Sequence, residues 1–379
     1  MFEYQKSHRF FAQIAGGLEQ LGAQELSELG AEEIDPAFRG LYFSADPAAL
    51  YRINYCSRLL TRVLAPLVSF ECPDDQTLYR IGRGIDWPLL FSATDRFSIF
   101  ANVSRSHITH SQFATLRLKD AIVDAFRDAT GQRPSIDREN PDVWINLHIE
   151  SDRATISLDT SGGSLHRRGY RKRTVEAPMQ ETVAAAILRY AEWHGQKPIY
   201  DPMCGSGTLL CEAIMAYCSI PAGYLRARFG FERLPDFQPE VWQRIKTEAD
   251  AHIHPLPDGL IAGSDISVQA VQATAANLRM LPNSEHIHLS VMDFNQIDHL
   301  NDRIIVCNPP YGIRLREIKK LDRFYKNLGD FLKQRCQGST AFIYFGNRTM
   351  LKHIGLRPAW KKPLENGGLD GRLAKFDMY

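Results

Sequence analysis

The chain has 379 residues, 44% of them hydrophobic and 23% charged, and a net charge of +1. At roughly 150 residues per domain this length predicts two or three domains, and the balanced charge excludes recognition of nucleic acid by overall charge, so any such surface has to be local. Seven cysteines without a Cys-x-x-Cys pair, no apolar run near the ~18 residues of a membrane span, and a start (MFEYQKSHRFFAQ) unlike a signal peptide predict a cytoplasmic chain with reduced thiols.

In chain order, RFFAQIA (9–15) predicts a strand, GLEQLGAQELSELG (17–30) a helix closed by Gly30, and GLYFSA (40–45) a second strand. PAALYRINYCSRLLTRVL (47–64) carries helical periodicity, which makes residues 1–65 a small α+β unit. A second α+β unit is expected over 66–160, with a helix at 111–131 and a hairpin pairing VWINLHIE with ATISLDT across Ser-Asp-Arg. The segment SGGSLHRRGYRKR (161–173) places five basic residues, Arg167, Arg168, Arg171, Lys172 and Arg173, within seven positions. It reads either as a solvated linker or as an arm that contacts phosphates.

From residue 180 the texture becomes helix–strand alternation. Strands are predicted at KPIYDPM, GLIAGSDIS, HIHLSVMDF, RIIVCN and TAFIYFG, helices lie between them, and a hairpin is predicted around LENGGLDGRLAKFDMY. Strands spaced by helices imply a mostly parallel, doubly wound sheet that binds ligands at the strand carboxyl ends. Cys204, Cys211 and Cys218 step by seven along one stretch, roughly 10 Å per step on a helix, too far to converge on a metal. They read as packing thiols. The His252/His254 and His286/His288 pairs have no partner at zinc-ligand spacing, and no metal is expected.

Four successive strand ends carry polar signals. DPMCGSGT (201–208) has Gly205 and Gly207 for a tight turn before a helix but lacks both the third glycine of a dinucleotide fingerprint and the Lys-Ser/Thr of a P-loop, which disfavours pyrophosphate. GSDIS ends with Asp265, suited to ribose hydroxyls, 58 residues past Gly207 because 219–257 is inserted. VMDFN offers Asp293 to an adenine amine. The fourth strand runs into Asn308-Pro309-Pro310-Tyr311-Gly312, where the prolines must end the ladder.

In this order these motifs resemble the class I S-adenosylmethionine-dependent methyltransferases that act on amines. Ala177 to Thr182 (APMQET) is similar to the cofactor segment such enzymes carry before their first strand. The front half resembles a ferredoxin-like unit (1–65) followed by an RNA-binding THUMP domain (66–160), with the methyltransferase domain at 161–379. Together they resemble the bacterial 23S ribosomal RNA guanine-N2 methyltransferases. The resemblance implies a Rossmann-like α/β fold, a seven-stranded doubly wound sheet ending in an antiparallel hairpin. S-adenosylmethionine is the implied cofactor, held by Met179, Thr182, Asp201, Met203, Cys204, Gly205, Gly207, Thr208, Asp265, Ile266, Asp293, Phe294 and Asn308. Asn308, Pro309, Pro310 and Tyr311 are implied as catalytic and Arg167, Arg168, Arg171, Lys172 and Arg173 as RNA contacts. The implied partner is 23S rRNA, naked or in an assembly intermediate, with neither membrane nor metal, and a monomer is expected. Some relatives continue into a second methyltransferase domain, and with one such domain a single methylation is expected.

Chemically, an exocyclic amine is a poor nucleophile because its lone pair is delocalised into the ring. The Asn308 side-chain oxygen and the Pro309 carbonyl supply one acceptor per N–H, Pro310 fixes the direction of that carbonyl, and Tyr311 offers a stacking face for an extruded base. The sulfonium is already activated, so positioning dominates and no general base is needed. Adenine-N6 methylation of RNA or DNA uses the same elbow, glutamine methylation fits the front half poorly, and a silent RNA-binding assembly factor is the non-enzymatic alternative. YLRARFGFER (224–233) places Arg226, Arg228, Phe229 and Phe231 either against RNA or in packing.

Overall fold

A computed structural model describes residues 1–174, 178–311 and 318–379, so Ala177 and Gly312 lie outside the described residues. The chain forms two compact units. One comprises Met1–Ile14, Gly22–Leu165 and Arg226–Lys246, the other Ala15–Leu21, His166–Leu225 and Thr247–Tyr379. Among the described residues no helix is long and apolar enough to cross a membrane.

The first unit carries α1 (Glu3–Ser7), β1 (Arg9–Gln13), α2 (Glu19–Glu28, begun in the other unit), β2 (Glu32–Ala37), β3 (Gly40–Ser44), α3 (Pro47–Cys56) and β4 (Arg62–Glu71). They are followed by α4 (Asp75–Arg83), β5 (Arg96–Ser104), α5 (Ser111–Thr130), β6 (Ser135–Ile136), β7 (Val143–Glu150) and β8 (Arg153–Asp159). All eight strands share one sheet, ordered β2-β3-β1-β4-β8-β7-β5-β6. The strand β4 pairs with β1 on one side and β8 on the other, running unbroken through residues 65 and 66. Pro66, which has no N–H to give, sits where the β4–β8 register shifts.

The helix expected over 47–64 stops at Cys56. Its continuation is intercepted by Glu25, 5% exposed, which accepts from Ser57 Oγ (2.6 Å) and from the backbone N–H groups of Arg58 (2.9 Å) and Leu59 (3.1 Å). Those amides would otherwise bond back into the helix. Val63, Leu64 and Ala65 then bury as strand residues of β4.

The second unit contains α6 (Glu181–Tyr190), β9 (Ile199–Asp201), α7 (Thr208–Tyr217), the end of α8 (Pro239–Ala251), β10 (Ile261–Asp265), α9 (Val268–Leu278) and β11 (His288–Val291). It continues through β12 (Ile304–Cys307), α10 (Ile318–Arg335), β13 (Thr340–Phe345), β14 (Trp360–Asn366) and β15 (Leu369–Asp377). The seven strands are ordered β11-β10-β9-β12-β13-β15-β14. The first five run parallel, β15 turns antiparallel to β13, and β14 is antiparallel to β15. This is the Rossmann-like sheet with its terminal hairpin that the motif order predicts. Cys204, Cys211 and Cys218 are buried thiols.

Phe229 and Phe231 of the insertion stack on each other at 5.2 Å, and Phe231 stacks on Tyr51 of α3 at 4.5 Å, with Trp242 edge-on to both phenylalanines. Arg226 donates from its Nη atoms to the carbonyls of Ser161 (2.8 Å), Gly162 (3.2 Å), Gly163 (3.2 Å) and Ser164 (3.0 Å). Packing is the role these three residues take in the structure. Arg228 stays exposed, 3.7 Å from Asp142.

Candidate active site

The expected polar residues gather at one end of the second sheet. Asp201 closes β9, Asp265 closes β10, Asp293 follows β11 by two residues, and Asn308 directly follows β12. These four strands are neighbours, and the crevice opens between β9 and β12, where the connections diverge to opposite sides.

The glycine loop is braced from below. The Gly205 N–H donates to Asp265 Oδ2 (2.9 Å) and the Ser267 N–H to Oδ1 (2.9 Å), leaving lone pairs on both oxygens for hydroxyl donors. Gly207 has φ +79°, and a Cβ there would stand 2.6 Å from Thr274 Cγ2, so only glycine turns the chain into α7. Thr274 Oγ1 donates to the Gly205 carbonyl (2.9 Å). Asn277, wholly buried on the same helix, donates to the carbonyls of Ser206 (2.9 Å) and Arg173 (2.8 Å) and accepts from the N–H groups of Lys172 (2.8 Å) and Arg173 (3.0 Å). The motif reading missed both residues, which carry no signal beyond two polar side chains on one buried helix face.

Asp201 is buried and accepts from the Met203 N–H (3.0 Å); burial pushes its carboxyl up to about 8, and that hydrogen bond only partly offsets the effect. The Cys204 thiol is buried against Thr274, and burial raises it well above the ordinary range. Thr208 is buried at the start of α7 and Met203 is half-buried. Ile266 is 70% exposed, an apolar side chain held out at the end of β10. Asp293 caps the next turn, Oδ1 accepting from the Asn295 N–H (2.9 Å). Phe294, the next residue of that set, is buried in the core with its ring edge-on to Phe324 and Phe331.

At the elbow, Asn308 Oδ1 is buried and has no hydrogen-bond donor among the described residues. Leaving such an acceptor empty costs about 1–3 kcal/mol, which a fold carries where a ligand completes the bond. Burial pushes the Tyr311 phenol upward, and the neighbouring Asn308 side chain partly counters that push. Tyr311 packs over Gly346, where a Cβ would come within 2.6 Å of its ring. The Pro310 carbonyl accepts from Tyr325 Oη (3.2 Å), a buried residue of α10 that the sequence reading passed over.

Upstream, Thr182 is wholly buried and its Oγ1 also lacks a partner among the described residues. Met179 is buried, and its carbonyl accepts from Arg171 Nη2 (2.8 Å), whose Nε donates to Glu181 (3.0 Å). A groove of about 360 Å³ opens here, lined by Arg167, Arg171, Met179 and Gln180 among others. The basic run is therefore not a uniform phosphate arm. Arg168 is 1% exposed and pairs with the buried Glu212 (3.4 Å), so it cannot serve as the expected RNA contact, and Arg171 is committed to internal acceptors. Arg167, Lys172 and Arg173 remain exposed. For S-adenosylmethionine the fit is good: a glycine turn for close backbone approach, a carboxylate with spare lone pairs, an exposed aliphatic side chain for a flat ring, and two orphaned buried oxygens.

Residues 168–375 match the family described as RMKL-like, methyltransferase domain; residues 73–159 match the THUMP domain and 9–64 the RlmL ferredoxin-like domain. A Synechocystis protein described as a candidate RNA methyltransferase is 41% identical over 98% of this chain and 97% of its own. The ribosomal RNA large subunit methyltransferase K/L of Syntrophotalea carbinolica is 39% identical over 98% of this chain, which spans 53% of that longer protein. Among solved structures, SMU.472, described as a candidate methyltransferase and solved with S-adenosylhomocysteine (SAH), superimposes with a TM-score of 0.85 at 26% identity, covering 98% of both chains. The chain belongs to the RMKL-like methyltransferase family, with a ferredoxin-like and a THUMP domain ahead of its Rossmann-like methyltransferase domain.

Proposed function

We propose that the protein methylates the exocyclic N2 amine of a guanine in 23S ribosomal RNA, with S-adenosylmethionine as donor, acting as a monomer in the cytoplasm. The observation that carries this reading is the buried, unpartnered Asn308 Oδ1 at the end of β12. The THUMP domain and the K/L relatives, which span about twice this chain, support RNA and the large ribosomal subunit as the target.

S-adenosylmethionine brings a methyl group on a positively charged sulfur, already electrophilic. Asp265 would hold its ribose through the lone pairs left beside Gly205 and Ser267, Ile266 and Asp293 its adenine, and Thr182 with the Gly205–Gly207 turn its amino-acid end. Asn308 Oδ1 and the Pro309 carbonyl accept the two N–H groups of the target amine, favouring a pyramidal nitrogen whose lone pair is free to attack. Tyr311, backed by Gly346 on one side, presents its other face to the flipped base, a stack worth about 1–3 kcal/mol. Tyr325 fixes the elbow through the Pro310 carbonyl. The exposed Arg167, Lys172 and Arg173 meet phosphates near the site.

The test is transfer of labelled methyl from S-adenosylmethionine to unmethylated 23S rRNA, followed by digestion to nucleosides. Label in N2-methylguanosine is expected; label in N6-methyladenosine would transfer the same elbow chemistry to adenine, and no label on RNA would overturn the reading.

A further inference from the structure

The carboxyl end of β13 holds a second tyrosine that the chemistry above does not use. Tyr344 is wholly buried, and its hydroxyl has no hydrogen-bond partner among the described residues. It is made room for by a glycine: a Cβ on Gly371 would lie 2.2 Å from Tyr344 Oη. One step beyond the Phe345–Arg372 pair, Gly346 and Gly371 come next on β13 and β15. Tyr311 thus rests on one glycine and Tyr344 reaches over its cross-strand neighbour. Residues 344 and 346 share a face of the sheet, while Phe345 points to the opposite face and stacks on Tyr325 at 5.4 Å. Burial holds the Tyr344 phenol well above its ordinary range, so the hydroxyl keeps its proton and can donate it.

Two buried oxygens, Asn308 Oδ1 three residues before Tyr311 and Tyr344 Oη on the sheet face that carries Gly346, are therefore without a hydrogen-bond partner among the described residues. A buried hydroxyl costs stability unless bonded, and this one can both donate and accept. Guanine places an N1–H donor and an O6 acceptor along the same edge as its 2-amine. We propose that Tyr344 is a specificity-determining residue that hydrogen-bonds the N1–H/O6 edge of the guanine whose amine Asn308 grips. The inference rests on the guanine reading above. A site built to bond this edge discriminates through the unpaired group left when the edge is missing.

The experiment uses the full chain and an RNA fragment spanning the nucleotide that wild-type protein methylates, made with guanosine or with 2-aminopurine riboside at that position. 2-Aminopurine keeps the 2-amine and lacks both N1–H and O6. Tyr344→Phe is expected to lower kcat/KM on guanosine about ten-fold and to leave the 2-aminopurine rate unchanged, with SAH affinity by calorimetry at the wild-type value. Gly371→Ala, which displaces the hydroxyl without removing it, should show the same pattern. Equal losses on both bases, or no loss on guanosine, would overturn the role of Tyr344 while leaving the guanine reading intact. No methylated guanine with wild-type protein would overturn both.

Discussion

Replacing Asn308 with alanine separates catalysis from folding in an unusual direction. Asn308 Oδ1 is a buried acceptor without a donor among the described residues, a burden of about 1–3 kcal/mol. The same side chain lies beside the Tyr311 phenol, and truncating it gives up that packing. Relieving that burden while losing the side chain's packing should leave stability within about 1 kcal/mol of wild type, a change in Tm of no more than about 2–4 °C for a unit of this size. Catalysis should suffer far more, because one of the two acceptors aimed at the reacting amine is gone, and a single preorganised group of this kind is worth about 10²–10³ in kcat. Thermal unfolding, SAH titration and single-turnover methyl transfer read the three quantities separately. A variant that unfolds several degrees earlier and loses SAH affinity would make Asn308 a structural residue, and a near-wild-type rate would refute its grip on the amine.

Asp201, held at about 8 against an ordinary 3.8, keeps a proton in the folded state that the unfolded chain releases, so its contribution to stability falls as pH rises between those values. Asp201→Asn keeps the acceptor for the Met203 N–H and should gain on wild type progressively from pH 4 to 8, by at most about 5 kcal/mol; parallel Tm–pH curves would contradict this. Asn277→Ala strands four backbone groups around the glycine loop and should cost about 2–4 kcal/mol together with roughly ten-fold in SAH affinity, and unchanged affinity would show that the loop holds without it. Tyr325→Phe frees the Pro310 carbonyl and should lower kcat about ten-fold with SAH binding intact, a result that a wild-type kcat would exclude.

What could be read from the sequence is what lies close together in it. The glycine turn, Asp265, Asp293 and the Asn-Pro-Pro-Tyr elbow each fit within a few residues of a strand end, and their order along the chain already implies the parallel sheet. Their braces are another matter. Thr274 reaches back to Gly205 across 69 residues and Asn277 to Ser206 across 71, so nothing local marks them. Arg168 departs from the basic run around it for a related reason: charge density suggests solvent, but Arg168 meets Glu212, 44 residues on, in the interior. Likewise the apolar spacing of RLLTRVL suits helix and buried strand alike, and Glu25, from a helix earlier in the chain, decides between them. Tyr344 and Gly371 come together only when β13 and β15 pair.

The most direct test is nucleoside mass spectrometry of 23S rRNA from cells with and without this protein. The account predicts that its loss removes one N2-methylguanosine per 23S molecule and that the wild-type chain, but not Asn308→Ala, restores it. Unchanged N2-methylguanosine, with or without a loss of N6-methyladenosine, would contradict it.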